Sequence, residues 1–134
     1  MANAIYNKAK EAMLSGTLNF TADTLKIVLI TDAYVFSQAH QYYSDIGANH
    51  IGTDQTLVSK TVTSGVFDAG DVVFAAVTAG SDINAVAIYK DTGVAGSSPL
   101  ICYLDTVASG LPVTSNGGDI TVTFDSGAYK IFAL

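Results

Sequence analysis

From Thr24 onward the chain is a succession of short apolar, β-branched runs cut by Gly, Asn and Asp, with no helix-length segment between successive runs. Parallel neighbours need a long crossover, usually a helix, so this spacing dictates antiparallel pairing. The strongest run, "TLKIVLIT" from Thr24 to Thr31, is apolar on both faces and is expected at the centre of a sheet. Further runs are "TLVSKTVT" from Thr56, "GVFDAGDVVFAAV" from Gly65, Ile83 to Tyr89, Leu100 to Val107, and the closing "DITVTF" and "AYKIFAL". Asp68-Ala69-Gly70-Asp71 reads as a turn or bulge, and Asp125-Ser126-Gly127 as the tip of a tight hairpin joining the last two runs. About seven strands at this spacing predict a mainly β fold, an antiparallel β-sandwich or barrel.

One helix is expected, over Ala2 to Ser15. Ile5, Ala9, Ala12 and Met13 recur at helical spacing, and Gly16 stands where a glycine ends a helix. "TLNF" after Gly16 reads as a short strand. Asp32 to Gln55 is the least regular stretch, with a helical turn expected near Gln41 to Ile46. A connection of that length in a small chain is commonly functional. Residues 1–134 read as a single domain, large enough to bury roughly two thirds of its unfolded surface.

Charge is scarce: 13% of residues carry it, against roughly 25% in ordinary soluble domains. A free monomer needs more than this for solubility, so part of the surface is expected to be covered by partner chains. The balance is acidic, at −6, built from eleven Asp, one Glu, six Lys and no Arg. Such a surface does not fit nucleic-acid phosphates, which need clustered Lys and Arg. No apolar run approaches the ~18 residues of a membrane span, and the opening "MANAIYNKAKEAMLSG" lacks the apolar core of a signal peptide. A lone cysteine, Cys102 in "LICYLD", excludes an internal disulfide and reads as a buried thiol.

Reactive constellations are weak. Ser37, His40, Asp45 and His50 share one segment, but Ser37 lies outside any G-x-S-x-G turn. His40 and His50 lack metal-ligand spacing, and Asp68 and Asp71 lack the calcium-loop pattern. Asp119, after Gly117-Gly118, reads likewise as a turn residue. No pair among the eleven Asp is marked as a glycosidase pair. Gly93 and Gly96 lack the lysine and following helix of a phosphate loop. No catalytic residue, metal or cofactor is therefore expected. The aromatics Tyr34, Phe36, Tyr42 and Tyr43 stand out, because tyrosine offers wide contact area with a polar tip. Together with Ile5 and Tyr6 of the expected helix they are the candidate partner-contact residues. The alternative is that they roof the core, and the sequence leaves both readings open.

Three stretches also carry a resemblance: "MANAIYNKAKEAMLSGTLNFTADTLKIVLI", "KTVTSGVFDAGDVVFAAVTAG", and the segment from "AIYKDTG" through "GLPVTSNGGDITVTF" to the end. Together they resemble a family of small structural proteins of tailed bacteriophages, most specifically at Tyr89–Gly93, Gly110–Thr114 and Asn116–Ile120. The resemblance implies a virion component, foremost a decoration or cement protein on the head surface. Its implied partners are the major capsid protein and further copies of itself, as a homotrimer or another homo-oligomer, with no nucleic acid and no membrane. A tail, baseplate or fibre-associated role in host adsorption is the alternative. Removal of Tyr129 to Leu134 is expected to unfold the chain, because the run carries several strand-forming apolar side chains.

Overall fold

The computed structural model describes residues 3–127 and 130–133. The chain opens with a two-residue strand, β1 (Ala4–Ile5), followed by the helix α1 (Asn7–Leu14). Then come β2 (Leu25–Thr31), β3 (His50–Thr56), β4 (Thr61–Thr63), β5 (Val66–Asp68) and β6 (Val72–Phe74). β7 (Asp82–Lys90), β8 (Leu100–Leu104), β9 (Val113–Thr114), β10 (Ile120–Val122) and β11 (Phe132–Ala133) complete the order. The fold is mainly β and sandwich-like, with every strand pair antiparallel. The described residues hold eleven strands rather than about seven, because several are stubs of two or three residues.

The main sheet runs β1-β8-β7-β2-β3, with β9 continuing the β8 side of β7. β2 is an interior strand, between β7 and the edge strand β3, and successive side chains on both of its faces are buried: Ile27, Val28, Leu29 and Ile30. β6 and β10 form a second, two-stranded sheet, and β4, β5 and β11 a third. Phe67 of β5, Phe74 of β6 and Val122 of β10 join β2, β7 and β8 in one buried cluster. Each such side chain stabilises by roughly 1.5–3 kcal/mol.

Four expectations change. The helix begins at Asn7, not Ala2, and Ala2 lies outside the described residues. Ahead of it, Asn3 accepts the backbone N–H groups of Asp105 and Thr106, each at 2.9 Å, and donates to the Thr106 carbonyl. Tyr6 N–H donates to Ile101. These bonds hold Ala4–Ile5 extended against β8, and tertiary pairing overrides the local alanine-rich preference. The helix end is as expected. Gly16, at φ +78°, ends it, with Thr17 N–H on Ala12 and Gly16 N–H on Met13, a Schellman arrangement.

"TLNF" is not a strand. Asn19 Oδ1 accepts from Thr21 and Ala22, and Asp23 Oδ2 accepts from Asn19 N–H, so side chains supply the backbone with turn partners. His50 to Gln55, read as irregular, belongs to β3, which ends at Thr56. Its pairing with β2 slips between Ile27 and Leu29, so the five β3 residues from Gln55 back to Ile51 span three of β2, and no alternation survives in the sequence.

Among the described residues the expected terminal hairpin does not form: β10 pairs with β6, and β11 with β5. Asp125 still makes its turn, accepting Gly127 N–H at 3.0 Å. The strands part because their partners part at Ala69–Gly70, where Gly70 N–H turns aside to Val58. Phe20, Phe67 and Phe132 then pack edge-to-face and tilted, with centroids 4.8–5.7 Å apart, and hold β11 on β5. Tyr129 and Leu134 lie outside the described residues. Ile131, between them, is buried.

Candidate contact surface

The six contact residues chosen from sequence fall into two groups. Ile5, Tyr6, Tyr34 and Phe36 meet where the segment after β2 returns to the amino-terminal strand. Gln38 ties the two together: its side chain donates to the Ile5 carbonyl at 3.0 Å, and its own carbonyl accepts Asn7 N–H. Tyr6 is fully buried and Tyr34 is 7% exposed, which corrects their assignment as contact residues. They pack inward because each ring finds both an apolar wall and a partner for its hydroxyl. Phe36 remains half-buried, over Tyr6 at 5.4 Å and Tyr103 at 4.8 Å. Its neighbour Val35, which sequence reasoning passed over, is 80% exposed and is the apolar tip of this loop.

Beneath that tip runs a hydrogen-bonded chain. The Tyr6 and Tyr34 hydroxyls are 3.0 Å apart, and the Tyr34 hydroxyl is 2.7 Å from His40 Nδ1. Tyr34 is the only partner of the Tyr6 hydroxyl among the described residues. A buried O–H that donates to nothing is costly, so Tyr6 donates to Tyr34, Tyr34 to His40, and Nδ1 is the acceptor. Burial first, then the Tyr34 contact, raises the Tyr6 phenol far above its ordinary value, so it stays a donor. Ser37 has other duties: its Oγ accepts Ala39 N–H. His40 therefore serves a tyrosine, not a serine nucleophile.

The second group, Tyr42 and Tyr43, lies against the loop between β7 and β8. Tyr42 bridges to Pro99, and Tyr43 N–H donates to Ser98. Asp45 anchors this single turn of 3-10 helix, accepting from Gln41 and Tyr42 N–H at 2.8 and 3.0 Å. The Tyr42 bond, then the Gln41 bond, hold its carboxyl below the ordinary range.

Asp54 and Tyr89, which sequence reasoning missed, complete this group together with His50, which it weighed only as a catalytic or metal-binding residue. The Tyr43 ring lies 4.5 Å from Tyr89 and 5.5 Å from His50. Tyr89 donates to Asp54 Oδ2 at 2.6 Å. The Tyr43 hydroxyl is 3.5 Å from His50 Nε2, while His50 Nδ1 is buried without a hydrogen-bond partner among the described residues. Burial, then the Asp54 charge, pushes the Tyr43 phenol well up. Strand alternation would have placed Asp54 and Tyr89 on one face had the β3 bulge not hidden its register. Around them is a hollow of about 120 Å³.

The remaining candidates have structural duties. Asp71 accepts Phe124 N–H and Asp119 accepts Ala76 N–H, each fastening one loop to another. Asp68 is a β5 residue opposite Thr61. Cys102 is buried, and desolvation pushes its thiol up to about 12. Among the described residues no three His, Cys, Asp or Glu side chains gather as a metal site. Neither a family model nor a curated protein sequence matches the chain.

Proposed function

We propose that this chain is a non-enzymatic structural subunit of a tailed-bacteriophage virion, a decoration or cement protein that binds the major capsid protein lattice alongside copies of itself. The observation that carries the reading is a surface poor in charge that leaves Leu14, Val35, Val58, Val62, Val73 and Val94 largely exposed. Such a surface suits burial against a lattice, where many modest contacts add through multivalency. The sequence resemblance to small phage structural proteins supports the same class. The acidic balance of −6 suits the outward face of a particle, keeping particles apart in solution.

A tail, baseplate or fibre position is the second reading. The hollow beside Tyr43, Asp54 and Tyr89 favours it, since a lattice contact needs no concave site.

Co-sedimentation of the purified chain with capsid shells of the same phage tests the proposal. The chain should pellet with shells at saturating stoichiometry, and Val35→Asp, at an exposed position, should weaken binding while leaving the fold intact. A chain that stays monomeric and binds neither shells nor tails would remove the reading.

A further inference from the structure

The hollow beside Tyr43 has a chemical preference of its own, independent of where in a virion the subunit sits. Its walls are the Tyr43 and Tyr89 rings, Asp54 of β3, and the loop from Asp91 to Ser98, with Val94 at the rim. That loop is already braced. Gly93 N–H donates to Asp91, Thr92 N–H to Ser98 Oγ at 3.1 Å, and the Thr92 and Ser98 hydroxyls are 3.0 Å apart. The wall is therefore pre-formed, and occupation costs little ordering.

The two carboxylates differ. Asp91 is compensated by Lys26, whose Nζ is 3.2 Å from Asp91 Oδ2. Asp54 has no ion-pair partner among the described residues, and the hydroxyls that bond to it, those of Tyr89 and Tyr43, are neutral. The hollow thus holds one carboxylate without an ion-pair partner among the described residues, beside two tyrosine rings. A cation is favoured by both, through Coulomb attraction and the ring quadrupole. An anion is repelled by the carboxylates. The hollow, of about 120 Å³, admits an ammonium head with its last few methylenes.

We infer that the hollow between Tyr43, Asp54, Tyr89 and Val94 is a binding site for an alkylammonium group, either a free amine or the end of a lysine side chain. Asp54 pairs with the nitrogen, the Tyr43 ring covers it, and Val94 packs on the methylenes.

The test is NMR titration of the folded chain, following the ring resonances of Tyr43 and Tyr89, with n-butylammonium, its neutral analogue n-butanol, and an acetylated, amidated Gly-Lys-Gly peptide. Saturable shifts with the ammonium, at least tenfold weaker with butanol, are expected. A peptide that binds more tightly than butylammonium assigns the site to lysine on a partner surface, and the reverse order assigns it to a free amine. Asp54→Asn keeps an acceptor for Tyr89 and should weaken ammonium binding at least tenfold. Val94→Lys, at a position 62% exposed, places a competing cation at the rim and should abolish it without disturbing the core. Equal response to butanol and butylammonium, no saturable shift, or unchanged binding by a folded Val94→Lys chain would overturn the inference.

Discussion

The phenolic oxygens of Tyr6 and Tyr34 lie 3.0 Å apart in the interior, and with the Gln38 bonds to Ile5 and Asn7 this contact joins the amino-terminal segment to the loop that follows β2. Tyr6 lies directly before α1 and Tyr34 three residues beyond β2, so the bond closes the chain over the β1–β8 edge of the main sheet.

The pair has an asymmetry that mutation can read. Tyr34→Phe leaves the buried Tyr6 O–H with no partner and should cost about 1–3 kcal/mol. Tyr6→Phe removes a donor but leaves Tyr34 free to donate to His40, and should cost about 0.5–1.5 kcal/mol. The double variant should cost less than the sum, because the orphaned hydroxyl is then gone. Urea unfolding of the four chains measures the cycle. Strict additivity would mean that the two hydroxyls do not bond.

Gly110 is the position least tolerant of a side chain. Its φ is +106°, and a Cβ there would stand 2.2 Å from the Thr121 carbonyl oxygen. Gly110→Ala should cost roughly 2–5 kcal/mol, combining backbone strain with overpacking. Gly117→Ala, at φ +89° with open space around it, should cost only roughly 1–2 kcal/mol. Thermal unfolding of both variants checks the ranking.

Stability should fall in acid. Asp23, Asp45 and Asp91 each sit below the ordinary 3.8, held down chiefly by backbone N–H donors at Asn19, Tyr42 and Gly93 respectively. Lys90 and Lys26 add ion pairs to Asp23 and Asp91. Because these folded-state values are depressed, the unfolded chain binds protons first as pH drops. The contribution is fully present above the ordinary carboxylate value and is lost as pH falls through the depressed ones. Unfolding temperatures should hold near neutrality and decline below about pH 4. Asp45→Asn should be less stable at neutral pH and decline less steeply in acid.

Cys102 should be silent towards thiol reagents in the native chain. Its sulfur is buried in β8 and its thiol is pushed up to about 12 by desolvation, so almost no thiolate forms near neutral pH. A disulfide-exchange reagent should report one thiol only in denaturant, and rapid native reaction would contradict the described packing.

Much of the sheet was legible because its strongest signals are local. "LKIVLIT" is apolar on both faces and became an interior strand, Gly16 closes the helix, and Asp68–Asp71 turns the chain. What failed depended on contacts distant in sequence. Asn3 reaches Asp105 and Thr106 to hold β1 extended, and Phe67 draws Phe132 away from the expected hairpin. The β3 bulge erased the alternation that would have shown His50 to Asp54 as a strand. The contact residues suffered likewise. Tyr6 and Tyr34 look like surface aromatics until they are seen to satisfy each other, 28 residues apart. Tyr43 acquires its meaning only beside Asp54 and Tyr89.

The most direct test of the proposed function is electron cryomicroscopy of the particle that carries this chain. Density for the sandwich at regular positions over the head, bridging capsid subunits and burying Val35 and its neighbouring loop, is the predicted result. Density confined to the tail or its tip, or absence of the chain from the particle, would contradict it.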